Sequence, residues 1–485
     1  MTALQPRVPY TDEELRKLYP DGLELQLVQI LLRHGERTPV SARFQNARLA
    51  AFWPYCSSVR QLRSAVLEDA DKHSGEPARF STLEWKRRLE TFGDNDETVI
   101  ATGPGSQVDN ICDLGSLTDT GRSSTYQLGL RLRNLYVDRL RFIPPTIAST
   151  DFIYLRATPI PRAVESLHQT FSALYPPATR EAGPDGTFPA PIIHSRAHGD
   201  ETLYPNDSNC RRFAALSRAF AQRAADRWNT TQEMEYLNKL VGKWMPPDSP
   251  RIAVDSRPRL SGVMDTINAT LAHGPETKLP KEFYDAKGRQ IIEKIAVDEW
   301  FSGYKESREY RMLGIGSLMG DIVARMVGSV EHSGASDARI KLGLSGCHDT
   351  TLAGILASLG AFEPGEWPPF TSHIAVEMFR KSATTSGTGD TQSSSAASGK
   401  QGRLASLFSG SFARTPKVIG RRPTEELSPS EIEKLGDYYV RLRYNDEPVT
   451  IPGCKAPGNH LEGDESFCTL VSVESQPTLS LLTAP

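Results

Sequence analysis

Long apolar runs are missing from this chain. No stretch of its 485 residues approaches the ~20 consecutive apolar residues that a membrane span needs, so no transmembrane segment is expected. An excess of one charge is missing too: 56 Lys and Arg stand against 59 Asp and Glu, a formal net charge of −3. With a pI near 6.4, nothing suggests a nucleic-acid surface or a polybasic membrane anchor. Residues Met1 to Arg7 hold no apolar leader and are soon followed by Asp12, Glu13 and Glu14. This argues against a secretory signal and, less firmly, against a mitochondrial presequence, so a cytoplasmic location is expected. On that expectation the sequons at Asn206, Asn229 and Asn268 are incidental. Cysteine is scarce as well. Cys56, Cys112, Cys210, Cys347, Cys454 and Cys468 show neither metal-site spacing nor the density of a disulfide scaffold, and free thiols are expected. Cys347 reads as a buried packing residue.

What is present begins with Leu32-Arg33-His34-Gly35-Glu36-Arg37-Thr38-Pro39, where the apolar stretch Leu25–Leu32 stops. A continuous apolar run of that kind predicts a buried strand of a parallel sheet, and ligands of open α/β sheets sit outside the carboxyl ends of such strands. Arg33 and Arg37 are permanently charged forks matched to phosphate oxygens, and the imidazole between them can serve as a nucleophile. A second run, Leu342 to Ser345, leads into Gly346-Cys347-His348-Asp349, after which Leu352, Ile355, Leu356 and Leu359 recur at helical spacing. His348 and Asp349 are thus predicted at a strand-to-helix turn, where free backbone N–H groups favour an anion. A third strand, Phe152–Leu155, precedes Arg156-Ala157-Thr158-Pro159-Ile160-Pro161-Arg162 and another helix.

Together these segments resemble the histidine acid phosphatase family, whose signature is Arg-His-Gly-x-Arg-x-Pro with a distant His-Asp. The third segment is similar to the family's Arg-Ser-Thr-x-x-x-Arg, departing from it at Ala157, Pro159 and Pro161. Finer likeness at Leu114–Thr118, Asp200–Cys210, Trp367–Phe370 and Pro452–Cys454 points to the lysophosphatidic acid phosphatase group. The resemblance implies an α/β fold, a phosphoglycerate-mutase-like three-layer sandwich with a mainly parallel central sheet and an α-helical cap insertion. It implies His34 as nucleophile, Asp349 as proton donor, and Arg33, Arg37, Arg162 and His348 as phosphate-binding groups, without metal or other cofactor. Three nearby cations should keep His34 neutral below its usual pKa. An aspartic acid that donates a proton must carry one, so the rate should fall as pH rises. The implied substrate is a small phosphomonoester, a lipid or sugar phosphate. A phytase, or a non-catalytic binder of a phosphorylated ligand, is the alternative.

One domain is expected, with its α/β core at about 22–40, 115–180 and 338–452 and with cap segments at about 41–114 and 195–337. The first of these insertions shows little strand character, and the second is charged and helix-biased. A helix is predicted over Thr120–Tyr136. The resemblance implies that the strands His373–Phe379 and Tyr438–Tyr444 form a hairpin; here a low-complexity tract at 382–423, which cannot bury a core, separates them. Trp367 and Phe370 read as residues packed under the sheet, Arg156 as a holder of backbone, and the basic residues of Arg211–Arg227 as a solvated helix face.

Overall fold

The computed structural model describes residues 7–474 apart from 61, 70–78, 185, 206, 332–339, 364, 383–418 and 420–425. The expected low-complexity tract therefore lies outside the described residues, except for 382 and 419.

The chain opens with helix α1 (Asp12–Leu18), whose capping box between Thr11 and Glu14 satisfies its first N–H groups. Strand β1 (Leu23–Arg33) follows. Apart from Gln29 and the terminal Arg33 its second half is apolar, because both faces are covered: Leu27 and Leu31 point into one hydrophobic cluster, and Val28, Ile30 and Leu32 into another. After β1 come two short hairpins, β2 (Leu62–Asp69) with β3 (Arg79–Trp85), and β4 (Glu90–Phe92) with β5 (Thr98–Ile100). They correct the expectation that this insertion has little strand character. Leu67 and Phe80 lie opposite each other on one face yet are 51% and 67% exposed, and Leu83 and Trp85 on the other face are 45% and 49% exposed, so neither face of the ribbon is selected for burial and no clear alternation is written.

Helix α2 (Asp119–Leu132) ends four residues earlier than predicted. A π-helical turn, Arg133–Arg139, continues it and still buries Leu135 and Tyr136, so the apolar period runs on while the hydrogen bonding changes. Strand β6 (Ile153–Ala157), helix α3 (Pro161–Leu174) and the short β7 (Ile193–His194) complete this part of the core. The insertion that follows is helical: α4 (Arg211–Trp228), α5 (Gln232–Val241), α6 (Leu260–Leu271) and α7 (Ala286–Glu306). It has its own hydrophobic cluster, which includes Trp53, Leu237, Val263 and Ile295. Three of the five basic residues of α4 are paired: Arg212 with Glu309, Arg223 with Glu306 and Arg227 with Asp298. Helix α8 (Arg308–Arg311), a π turn and α9 (Ser317–Glu331) form one continuous rod. By length and composition this rod could cross a membrane, but two thirds of its apolar window is buried against β1 and its neighbours, as in a core helix.

Strand β8 (Leu342–Cys347), helix α10 (Asp349–Ser358), strand β9 (His373–Lys381), helix α11 (Pro429–Gly436) and strand β10 (Tyr438–Tyr444) return the chain to the core. The short β11 (Glu447–Val449), β12 (His460–Leu461) and β13 (Asp464–Thr469) and helix α12 (Leu470–Glu474) close it. The main sheet runs β12-β13-β10-β9-β1-β8-β6-β7, with β11 on β10. The half β1-β8-β6-β7 is parallel, and β9 onward is antiparallel. Helices α2 and α3 cover one face, and α9 and α10 the other, which makes the three layers.

Two disulfides overturn the expectation of free thiols for four of the six cysteines: Cys56–Cys112 and Cys454–Cys468, with Cα separations of 5.1 and 5.3 Å. Cys210 and Cys347 are free. The first pair arises because two distant segments lie side by side, Cys56 N–H donating to Asn110 O and Cys112 N–H to Trp53 O. Sequence spacing carries no trace of such a meeting.

The antiparallel half is fastened by a buried carboxylate. Glu377 on β9 faces Arg441 on β10. It accepts hydrogen bonds from Arg441 (2.7 and 3.0 Å), Tyr19 (2.7 Å), Tyr136 (2.8 Å) and Arg443 (3.3 Å). Burial raises its pKa, but the two guanidiniums and the hydrogen bonds outweigh that and hold it at about 2. A depressed carboxylate pKa stabilises the fold above the unfolded value, here 4.5, and the contribution is lost as pH falls toward 2. Glu377→Gln is expected to destabilise the protein by about 3–5 kcal/mol at neutral pH, because it strands two buried cations. Urea unfolding at pH 7 and pH 3 checks this, and the loss should be smaller at pH 3.

Candidate active site

Three parallel strands deliver the site, each ending at the same edge of the sheet. His34 follows β1, His348 and Asp349 follow β8, and the Thr158–Arg162 loop follows β6. Backbone bonds lock the three ends together: His34 N–H donates to Cys347 O (3.1 Å) and Thr158 N–H to Gly346 O (3.2 Å). The motif loop then lies flat on α2, and glycine makes that possible. A Cβ on Gly35 would sit 2.3 Å from Gly121 O, and one on Gly121 would sit 2.1 Å from Glu36 O.

All six predicted side chains come together. His34, Arg37, Arg162, His348 and Asp349 line one cavity of about 340 Å³. Arg33 reaches the same place through a 2.7 Å ion pair with Asp349. His34 is buried, and its Nδ1 lies 2.9 Å from the carbonyl oxygen of Gly35. A carbonyl can only accept, so Nδ1 carries the proton and Nε2 keeps its lone pair. Burial, followed by the charges of Arg162, Arg33 and Arg37, holds the His34 pKa well below the ordinary value, so the ring is neutral. His348 is lowered by burial and then by Arg162; its Nε2 lies 3.0 Å from Thr158 Oγ1. Burial and the neighbouring Arg37 push Arg162 down to about 10. For Asp349, burial acts upward but Arg33 and Arg37 prevail, and the carboxyl is held below the usual range. Its Oδ1 accepts Thr350 N–H (2.8 Å), and its Oδ2 accepts the Trp367 indole N–H (3.1 Å) besides Arg33.

Several residues at the site escaped sequence reasoning. Trp367 and Phe370 are not simply packed under the sheet: one holds Asp349, and the other lies 4.2 Å beneath the Arg33 guanidinium and 5.8 Å from that of Arg37. Asp265, from cap helix α6, pairs with Arg37 at 2.8 Å. Ser166 accepts Gly35 N–H at 3.1 Å. Arg156 is structural, but it pairs with Glu201 (2.6 Å) and Asp321 (3.4 Å), not with backbone. A second cavity of about 310 Å³ adjoins the first and shares Arg37, Asp349 and Trp300 with it.

Residues 24–394 match the histidine phosphatase superfamily (branch 2). The chain belongs to that superfamily. It is 34% identical to a probable acid phosphatase of Schizosaccharomyces pombe over 93% of this chain and 91% of that protein. It is 25% identical to human lysophosphatidic acid phosphatase type 6 over 74% of each chain. Among solved structures, a Klebsiella phytase superposes with a TM-score of 0.51 at 13% identity, covering 96% of this chain and 97% of that one. At that identity the likeness concerns the fold alone, and it agrees with the layered architecture of this histidine phosphatase.

The Gly35–Gly121 contact generates an expectation for this phosphatase. Gly121→Ala sets a methyl group against backbone that cannot turn aside, so the motif loop must move. Loss of about 1–3 kcal/mol of stability is expected, together with a drop in kcat/KM of at least about tenfold. Urea unfolding and steady-state kinetics measure the two, and wild-type kinetics would show that this close approach is dispensable.

Proposed function

We propose that this histidine phosphatase is an acid phosphatase that hydrolyses phosphomonoesters through a phosphohistidine on His34. The observation that carries the reading is the neutral, buried imidazole with its Nδ1 proton held by Gly35 and its Nε2 free, among arginines that can bind the equatorial oxygens of a phosphoryl group. Nε2 attacks phosphorus and forms the N–P bond as the ester P–O bond breaks. Asp349 gives its proton to the leaving oxygen. In the second step water forms a P–O bond as N–P breaks, and its proton goes to Asp349. The sum is ester plus water giving alcohol plus inorganic phosphate, and no metal takes part.

The acid requirement comes from Asp349. In the free enzyme its carboxylate is paired with Arg33. A bound phosphate takes up the Arg33 fork and adds negative charge beside Asp349, and both effects raise its proton affinity. The protonated fraction grows as pH falls, so activity on esters with poor leaving groups should rise toward acid pH.

For the substrate, a monoester with a largely apolar leaving group, such as lysophosphatidic acid, is favoured over phytate. The cavity wall beside the phosphate site carries Phe213, Phe301, Tyr304 and Tyr310, with Asp207 among them, which suits an acyl chain better than further phosphates. The relation to lysophosphatidic acid phosphatases supports this.

The test is a panel of p-nitrophenyl phosphate, lysophosphatidic acid, phytate and sugar phosphates between pH 4 and 8 with EDTA. His34→Ala should lose on the order of 10³-fold or more in kcat; full turnover by that variant would overturn the mechanism. Asp349→Asn should lose about 10²–10⁴-fold on lysophosphatidic acid. Its loss on p-nitrophenyl phosphate should be much smaller, because nitrophenolate leaves without a proton. Equal losses on both esters would remove Asp349 from the acid role.

A further inference from the structure

Asp265 projects from cap helix α6 into the phosphate site. Its Oδ1 lies 2.8 Å from Arg37, and its Oδ2 lies 3.3 Å from Arg43 and accepts Val40 N–H at 3.1 Å. Arg37 belongs to the His34 motif, and Val40 and Arg43 to the residues just after it, so one carboxylate from the cap engages the motif and the segment that leaves it. The pairing is made on one side of the Arg37 fork. Nη1 is taken by Asp265 and by Thr38 O (3.1 Å), whereas Nε is buried without a partner. Phosphate therefore meets an arginine whose charge is already partly neutralised by a neighbour that stays when phosphate arrives.

Consider what that does to the reaction. Substrate and product both carry a phosphate group, and product inorganic phosphate keeps every oxygen that the arginines can hold. An unopposed cluster of buried guanidiniums would bind product tightly and slow its release. A carboxylate fixed on Arg37 weakens that grip by competing for the same N–H groups and by repelling the anion. We propose that Asp265 is a positioning residue of this kind: a counter-ion supplied by the cap that competes with phosphate for Arg37 and thereby sets how readily the product leaves. This rests on the phosphate-site reading given under Proposed function.

Two variants pull in opposite directions. Asp265→Asn keeps the shape and one acceptor oxygen but removes the charge. Arg43→Gln removes the second guanidinium that draws on Asp265 and leaves its charge to Arg37. Each is compared with wild type by hydrolysis of p-nitrophenyl phosphate at a single pH with inorganic phosphate as competitor, after a thermal melt has checked folding. For Asp265→Asn, the Ki for phosphate should fall about tenfold, with KM falling alongside. For Arg43→Gln, the Ki should rise about threefold. An unchanged or raised Ki in Asp265→Asn would show that Asp265 merely holds Arg37 in place, and the inference would be wrong. If Asp265→Asn does not fold, Arg43→Gln decides alone, and a Ki that fails to rise overturns the inference. Absence of competitive inhibition by phosphate in wild type would instead remove the phosphate-site reading on which it stands.

Discussion

A guanidinium taken out of water must find a counter-charge or lose most of its favourable solvation, and this constraint runs through the whole molecule. At the strand ends, Arg33 leans on Asp349 and Arg37 on Asp265. Under the antiparallel half of the sheet, Arg441 and Arg443 converge on Glu377. On β6, Arg156 rests on Glu201 and Asp321. The last two sets tie elements of the frame to one another. The first is different because its carboxylates stand beside a cavity, where an anion can enter and share the cations. The same electrostatics that fastens the frame leaves the site poised for exchange.

Neutral His34 is the other side of that arrangement. Burial makes protonation of its imidazole unfavourable, and the positive charge gathered around the ring adds to the effect. An enzyme that works in acid with a histidine nucleophile needs this, since an ordinary imidazole would be protonated there. The frame meets the same condition through Glu377, whose pairing keeps it ionised until pH approaches 2.

Those parts of the site that lie next to each other in the chain were legible in the sequence. An apolar run ending in Arg33-His34 and another ending in His348-Asp349 each write strand, turn and chemistry into a few consecutive residues. The strands β9 and β10 were legible as apolar runs, whereas their pairing came from the family resemblance, because a long tract separates them in the chain. What escaped depends on meetings between distant segments. Asp265 lies in α6 among Leu260, Val263, Met264 and Ile267, a pattern in which a polar residue reads as a solvated position. Gly121 looks like a weak point inside a helix until Glu36 is seen against it. Trp367 and Phe370 were visible as an aromatic pair, but burial alone could not say that one would hold a carboxylate and the other lie under a guanidinium. The Cys56–Cys112 disulfide left no periodic trace for the same physical reason, and the hairpins left none because no face of them is buried.

The helical insertion carries a hydrophobic cluster of its own, while β1 and its neighbours are enclosed by two others. The seam between them is narrow in the chemistry it must preserve: Asp265 on one side, Arg37 on the other, and Trp367 packed against both cores. Yet Phe213, Phe301 and Tyr304 leave the insertion for the cluster around β1, and the same side chains line the cavity beside His34. The wall that a leaving group would meet is therefore built jointly, and a cap exchanged as a unit would have to bring matching partners for the sheet as well as for Arg37.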